Sequence, residues 1–590
     1  MQISTLEDIH HRIETRDGMQ IHWQIPIQMD DGIVLRADLF RPILSSPVPV
    51  IMSYGCYAKG QAFQEAYKPQ WDSMVEEFPE IEQGSSNKYQ CWELTDPERW
   101  IPEGYAVLRV DSRGAGWSPG VQDLWSAREV QDYCACIEWA GEQTWSDGNV
   151  GLLGISYYAA NQWLAAAARP RHLKAIIPWE GASDCYRELY FHGGIRSTFL
   201  DSWLPRQAAM QYGQGERSRR HPITGEPCGG DVTLSESELA TRRVDKVVDV
   251  KAHPLLDDYY RPVITDFDKV EVAVLSSANW GGQGLHLRGN VEGFTRSGSA
   301  HKYLEVHGLE HWTHFYTDYG IDLQKRFFDR FLKGDVSGWL DQPRVQLQIR
   351  HIDRFEQRSE NEWPLARTQW TRWNLDAGNN HISPQPAETT ASLSFTRNDS
   401  GLTLFSHPFS ESTEITGPLS ARLSISSTTA DADVFVVLTM FDPQGQEVAF
   451  RGAMDAYTPL AQGWLRASHR EIDPVLSTPE RPVHPHVRLQ PLTPGEIVQL
   501  DIEIWPTCIV VPVGYRLALQ VRGRDYEYAG SVDPKRNARH RYPSKGCGPF
   551  RHDDSNDKKH PDLNGVITLH TGPSHSSSLL LPIIPQRSNP

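Results

Sequence analysis

Hydrophobic positions follow two different periods along this chain, and the change falls near Pro343. Before it, short continuous apolar runs recur: Ala106-Val107-Leu108-Arg109-Val110, Val150 to Leu153, Ala175-Ile176-Ile177, Glu271-Val272-Ala273-Val274-Leu275 and Lys302-Tyr303-Leu304-Glu305-Val306. Such runs predict strands covered on both faces, as in a parallel sheet. Ala127 to Gly141 places Val130, Tyr133, Cys134 and Ile137 at helical spacing, and Trp145-Ser146-Asp147-Gly148-Asn149 turns the chain back into the strand Val150 to Leu153. Strand, Gly-rich turn, helix, strand is the order a doubly wound sheet requires. Val34 to Phe40 and the run from Pro49 add earlier strands. Tyr319 to Lys333, with Leu323, Phe327, Phe328 and Phe331 on one face and Gly334 at its end, predicts a closing helix.

From about Pro343 the period becomes two. Val345-Gln346-Leu347-Gln348-Ile349, Ala421-Arg422-Leu423-Ser424-Ile425, Val434 to Met440, Ile497 to Ile502 and Arg516 to Val521 largely alternate apolar and polar residues. Strands of this kind bury one face and wet the other, and many of them between Gly/Pro turns predict an all-β sandwich. The sheet pattern also lapses between Glu180 and about Asp268, where Arg187 to Tyr212 is aromatic-rich and broadly helical and Arg217 to Asp231 is polar. The expected organisation is therefore a core built from 1–180 and 269–342, a helical cap at 181–268 and a β domain at 343–590.

The segment that carries chemistry is Gly154-Ile155-Ser156-Tyr157-Tyr158-Ala159, which joins the apolar run Val150 to Leu153 to a helix-compatible run, Ala160 to Ala168. A serine there presents its hydroxyl at the sheet edge, with the first helical amides aimed at whatever it attacks. A serine before a helix is also a common N-cap, so the neighbours matter.

Those neighbours resemble the cocaine-esterase-like (CocE/NonD) serine hydrolases, relatives of the X-prolyl dipeptidyl peptidases and α-amino acid ester hydrolases. The resemblance rests on Asp111-Ser112-Arg113-Gly114, Trp145 to Gly151, Gly154-Ile155-Ser156-Tyr157 and Gln162-Trp163. Thr416-Gly417-Pro418-Leu419 and Val513-Gly514-Tyr515-Arg516-Leu517 resemble the family's C-terminal jelly roll. It implies an α/β-hydrolase fold with an inserted helical cap, then a jelly-roll domain, with Ser156 as nucleophile. The family's final elbow glycine is Ala159 here.

A serine nucleophile needs a base, an acid that orients the base, and oxyanion donors. The turn His307-Gly308-Leu309-Glu310-His311-Trp312-Thr313-His314 follows a strand where the family keeps its base histidine. Counting from Val306 selects His311, and anchoring on Trp312 selects His314; His311 is preferred because distance from the strand end sets its reach. The Tyr157 amide is the default first oxyanion donor. The family's tyrosine donor corresponds to Tyr57, with Tyr54 as a rival. The family's aspartate position, however, reads Gly282. Glu180, at the end of Ala175 to Trp179, is the leading substitute acid. Glu292 and Glu310 rank lower, Asp184 reads as structural, and a neutral Asn279 or a decayed triad are the other readings.

Composition sets limits. Net charge is -17 without a basic block, against nucleic-acid binding, and no apolar run reaches the roughly 18 residues of a membrane span. The eight cysteines lack metal-ligand spacing and read as reduced thiols, and the start of the chain lacks a signal-peptide pattern, so a cytoplasmic setting is expected. The expectation is a serine hydrolase cleaving a small acyl ester, less readily an amide or peptide, through an acyl-enzyme. A catalytically impaired ligand-binding homologue and an acyltransferase are the alternatives. No metal or organic cofactor is expected, the partner is a small-molecule ester, and homo-oligomer formation is left open. Trp179 and Trp280 are candidate pocket residues.

Overall fold

The computed structural model describes residues 9–44, 46–540 and 545–585. Its first part is an eleven-stranded sheet, in the order Arg12–Arg16, Met19–Gln28, Val34–Pro42, Ala106–Asp111, Val48–Gly55, Ser146–Ile155, Leu173–Trp179, Ala273–Asn279, Lys302–His307, Val345–Arg350, Phe355–Glu360. Neighbours from Ala106–Asp111 to Val345–Arg350 run parallel, and the flanking strands are antiparallel. The continuous apolar runs are buried on both faces, as their composition predicts: every residue of Ala106–Asp111 and of Ala273–Asn279 is buried.

Parallel register brings the strand ends to one edge. Ile155 lies beside Trp179, Trp179 beside Ser277, and Asn279 beside His307. The residues that follow, Ser156, Glu180, Trp280 and the turn after His307, therefore leave the sheet together, where open α/β sheets bind ligands. The helices Ala127–Gly141, Tyr157–Ala167 and Asp318–Phe328 lie close to their predicted positions.

Two expectations change. Val345–Arg350, read from its alternation as the start of the β domain at 343–590, pairs parallel with Lys302–His307 and extends the first sheet, as does Phe355–Glu360. Alternation reports two unlike faces rather than a wet one: the polar side of Val345–Arg350 is largely buried, with Gln348 accepting from the Gly308 N–H and Arg350 donating to Cys508 O. The 181–268 segment, expected to form a helical cap, is not purely helical. Besides Phe199–Ala208, Glu236–Ala240 and Lys246–Ala252 it contains the hairpins Phe191–His192/Ile195–Arg196 and Gly215–Arg220/Pro227–Gly229.

The C-terminal part is a twelve-stranded, largely antiparallel sheet. The long strand Thr413–Ser427 pairs with Val498–Val511 on one side and with Ser578–Ile584 on the other, and Ser578–Ile584 also pairs with Gln369–Asp376, so the sheet curls back on itself. Its alternating residues Leu419, Ala421, Leu423 and Ile425 are buried in the enclosed core.

The two parts meet closely. A Cβ on Gly281 would fall 2.3 Å from the Gly452 Cα. Ion pairs Arg288–Glu503 (3.0 Å) and Arg481–Glu292 (2.7 Å) also cross the junction. Among the described residues, no helix is long and apolar enough to cross a membrane.

Candidate active site

Ser156 stands between the Ser146–Ile155 strand and the Tyr157–Ala167 helix with φ 61° and ψ −113°, a region that side chains rarely adopt. Backbone bonds hold it there: its N–H donates to the carbonyls of Trp179 (3.2 Å) and Glu180 (3.1 Å), and the Ile155 N–H donates to Glu93 O (3.2 Å). The turn needs close approach of the helix to its neighbours. Gly181 supplies it opposite Ala159, because a Cβ at residue 181 would lie 2.6 Å from the Ala159 Cβ and 2.8 Å from its carbonyl carbon. Rigid backbone cannot yield as a side chain would, so Gly181→Ala is expected to cost about 1–3 kcal/mol by overpacking. Thermal unfolding should show the loss, and adding Ala159→Gly should recover part of it.

Tyr57 and Ser156 line the same cavity. Burial first, and the nearby Glu93 next, push the phenol well above its ordinary pKa, so it stays a neutral O–H donor. Its loop is pinned from below: Lys59 N–H donates to Asp111 Oδ1 (2.7 Å) and Lys59 Nζ to Asp111 Oδ2 (2.8 Å), which gives Asp111-Ser112-Arg113-Gly114 a structural task. The Tyr157 amide is the first of its helix and lacks an intrahelical acceptor by position. The Tyr157 hydroxyl points elsewhere, donating to Glu129 at 2.6 Å. Tyr57 and the Tyr157 amide are thus placed to hold an oxyanion beside Ser156. Tyr54 is not, since it faces the other side of the sheet and stacks on Tyr133 at 4.6 Å.

The structure brings Glu180 and His311 together. Glu180 Oε2 is 2.7 Å from His311 Nδ1, and both groups are buried. The second oxygen, Oε1, accepts from Asn279 Nδ2 at 3.1 Å and lies 3.1 Å from His307 Nε2. Asn279 therefore supports the carboxylate rather than replacing it. His311 Nε2 faces Glu93 Oε1 at 3.6 Å. Burial disfavours the imidazolium, but Glu180 and Glu93 outweigh it and raise His311 to about 10. Against the cost of burial, His311 and His307 hold Glu180 far below the ordinary carboxylate range.

A second imidazole, not anticipated from the sequence, reaches the serine. His286 Nε2 is 3.2 Å from Ser156 Oγ, and its ring stacks on His311 with centroids 5.2 Å apart and planes 7° from parallel. The Ala182 N–H points at His286 Nδ1 from 3.1 Å, so Nδ1 accepts and Nε2 carries the proton toward Ser156 Oγ. Burial, and then the charge on His311, keep His286 neutral, well below its ordinary pKa. It is oriented as a donor, whereas His311, with a carboxylate on Nδ1, is oriented as a base. One signal for it existed: His286 follows Gly282 closely, in the segment where only an acid was sought. Glu93 comes from the stretch between Gly55 and Ala106, for which the hydrophobic pattern predicts no element.

The other candidates are engaged elsewhere. The His314 ring packs edge-on against His307 (5.2 Å) and against Phe78. Glu292 pairs with Arg481, Glu310 with Arg451, and Asp184 with Arg187 at 2.6 Å. Trp179 and Trp280, expected in the pocket, are core residues. Trp179 stacks on His307 at 5.3 Å, and Trp280 donates its indole N–H to Gln348 O at 2.8 Å and packs on Trp363. Trp179 ends its strand and Trp280 directly follows the end of Ala273–Asn279, and both side chains are fully buried. The small cavity of about 20 Å³ beside Ser156 is lined instead by Tyr57, Trp125, Tyr157, Phe199, Trp203 and Leu285, among others, and by His286.

Residues 31–316 match the family model described as X-Pro dipeptidyl-peptidase (S15 family), and residues 337–580 match that of the X-Pro dipeptidyl-peptidase C-terminal non-catalytic domain. The chain carries an S15 domain followed by this C-terminal domain. It is similar to the cocaine esterase of Rhodococcus sp. (strain MB1 Bresler), at 26% identity across 95% of this chain and 98% of that one. It is also similar to the crystal structure of a CocE/NonD family hydrolase from Staphylococcus aureus, with TM-score 0.81, 29% identity and 99% of each chain covered. An α-amino acid ester hydrolase shares the fold, at TM-score 0.64 and 15% identity over 99% of this chain and 100% of the other. Both parts of the S15 architecture, the catalytic region and the non-catalytic β domain, are therefore present in this hydrolase relative.

Proposed function

We propose that this protein is a serine hydrolase of the α/β-hydrolase type, with an inserted cap and a C-terminal jelly roll, that cleaves esters of small uncharged acyl groups. The observation that carries this reading is a strained Ser156 at a helix N-terminus, sharing a cavity wall with Tyr57, with a buried Glu180–His311 pair close by.

In the proposed mechanism His311, when neutral, takes the Ser156 proton at Nε2 as Oγ attacks the ester carbonyl. Tyr57 and the Tyr157 amide stabilise the oxyanion. Collapse of the tetrahedral intermediate breaks the bond to the leaving alkoxide, which receives that proton from His311. Water, deprotonated by the same nitrogen, then releases the acid and regenerates Ser156. Glu180 holds the His311 tautomer and compensates its charge, in place of the aspartate missing at Gly282. The acyl pocket is apolar and aromatic, and His286 is the titratable imidazole at its edge. Such a lining favours an uncharged acyl group over the ammonium of a peptide N-terminus, which supports an ester over a dipeptide substrate.

Labelling with a fluorophosphonate tests the reading. The wild-type protein should take one label per chain, and Ser156→Ala should take none. An unlabelled wild type would favour a ligand-binding homologue with a decayed site.

A further inference from the structure

Behind Glu180 the buried polar contacts do not stop. His307 Nε2 is 3.1 Å from Glu180 Oε1, and His307 Nδ1 is 2.8 Å from Glu305 Oε2. Glu305 in turn accepts from Ser277 Oγ at 2.5 Å and from the Tyr319 hydroxyl at 3.1 Å. Glu180 and His307 are 0% exposed and Glu305 is 1% exposed, so bulk water cannot take over any of these bonds. An imidazole with a carboxylate on each nitrogen satisfies both only when both nitrogens carry protons. His307 is therefore an imidazolium set between two carboxylates, and Glu180 is shared between two imidazoles rather than serving one.

We propose that His307, backed by Glu305, is a positioning residue for the active site: it fixes the Glu180 carboxylate and takes up part of its charge, so that His311 can lose its proton. The proposal rests on the reading of Glu180 and His311 as acid and base, and it goes beyond that reading by assigning a task to a histidine away from the reacting atoms. The physical need comes from position. An acid one residue beyond Trp179, in a site 0% exposed, pays a large desolvation cost unless it is paired and hydrogen-bonded. Were His311 its only cationic partner, the whole of that compensation would favour the imidazolium and work against deprotonation. His307 supplies a second cation, and its positive charge also disfavours charge on nearby imidazoles.

The groups facing His307 agree with this assignment. They are Glu180 from the end of the Leu173–Trp179 strand, Glu305 from its own strand, Ser277 from Ala273–Asn279, and His314, whose ring is 5.2 Å away. His314 stays neutral, lowered to about 3 by burial and by His307 itself. Burial opposes charge on His307, yet Glu305 and Glu180 raise it to about 9.

The test is the pH dependence of kcat/KM for p-nitrophenyl butyrate, expressed per fluorophosphonate-reactive site so that misfolded protein drops out. His307→Gln keeps a donor toward Glu180 but removes the charge. It should retain kcat within a few-fold at high pH and move the rising limb to higher pH by about one unit. His307→Ala, lacking both donor and charge, should also lower the high-pH kcat by about 10- to 100-fold. Glu305→Gln weakens the charge on His307 from behind and should move the limb in the same direction, which keeps the test available if the His307 variants do not fold. An unmoved limb in His307→Gln and Glu305→Gln, with wild type labelled and active, would overturn the positioning role. A wild type that neither labels nor turns over would instead sink the hydrolase reading.

Discussion

Replacement of His311 by alanine is expected to lower kcat by about 10⁶-fold, close to the effect of removing Ser156, because nucleophile and base act as one unit and neither works alone. Two imidazoles lie near Ser156, so the prediction discriminates between them. His286 is the one in hydrogen-bonding distance in the resting site, at 3.2 Å. Its Nδ1, however, is occupied by the Ala182 N–H, so the nitrogen facing the serine bears a proton and has no lone pair to receive another. His286→Asn should thus cost only a few-fold, the worth of one neutral hydrogen bond of about 1 kcal/mol. The reverse ranking, a severe loss in His286→Asn and a mild one in His311→Ala, would transfer the base to His286.

The same assignment fixes the sign of the pH dependence. His311 must be neutral to act, and it is raised to about 10, with Glu180 and Glu93 outweighing burial. Activity should therefore rise with pH along a limb well alkaline of the ordinary histidine value. Removing the Glu93 charge in Glu93→Gln should move that limb to lower pH. A limb near the ordinary value would show that Glu93 leaves His311 Nε2 when substrate arrives.

Glu180→Gln is expected to lower kcat by about 10⁴-fold, the loss that accompanies a neutral isostere at the triad acid. A glutamine keeps the shape but presents no charge to the His311 imidazolium, and its amide can face Nδ1 with an N–H, which stabilises the wrong tautomer. The usual acid position is Gly282, and Glu292 and Glu310 are tied to Arg481 and Arg451, so none of these replaces Glu180. A loss below tenfold would remove Glu180 from the mechanism. Measuring kcat per labelled site separates this loss from instability, since the variant also leaves His307 with one carboxylate fewer.

Much of this architecture is legible in the sequence because the signals are local. The apolar run Val150 to Leu153, the serine after it and the helix behind it act over about a dozen residues, and their periods differ enough to be told apart. The carboxylate at the end of the next strand is legible as a candidate for the same reason. Other features depend on what lies across the sheet. The alternation of Val345–Arg350 reads equally well as a β-sandwich strand or as an outer strand of a parallel sheet, and only its pairing with Lys302–His307 decides. Trp179 and Trp280 stand beside the site in sequence, yet their side chains turn into the core. Neither Glu93 nor His286 belongs to a periodic element that would have marked it.

Residue order by itself determined the two kinds of sheet and the serine at a strand-to-helix turn, whereas the empty acid position at Gly282 came from the family resemblance. The first two follow from hydrophobic period and turn chemistry, which the chain expresses over short distances. Tertiary structure alone decided which carboxylate meets which imidazole. Parallel register sets Ile155 beside Trp179 and Asn279 beside His307, and so joins Glu180 to His311 across 131 residues. At that sheet edge water is excluded, and the bond each buried charge makes, rather than its place in the sequence, fixes its protonation and its task.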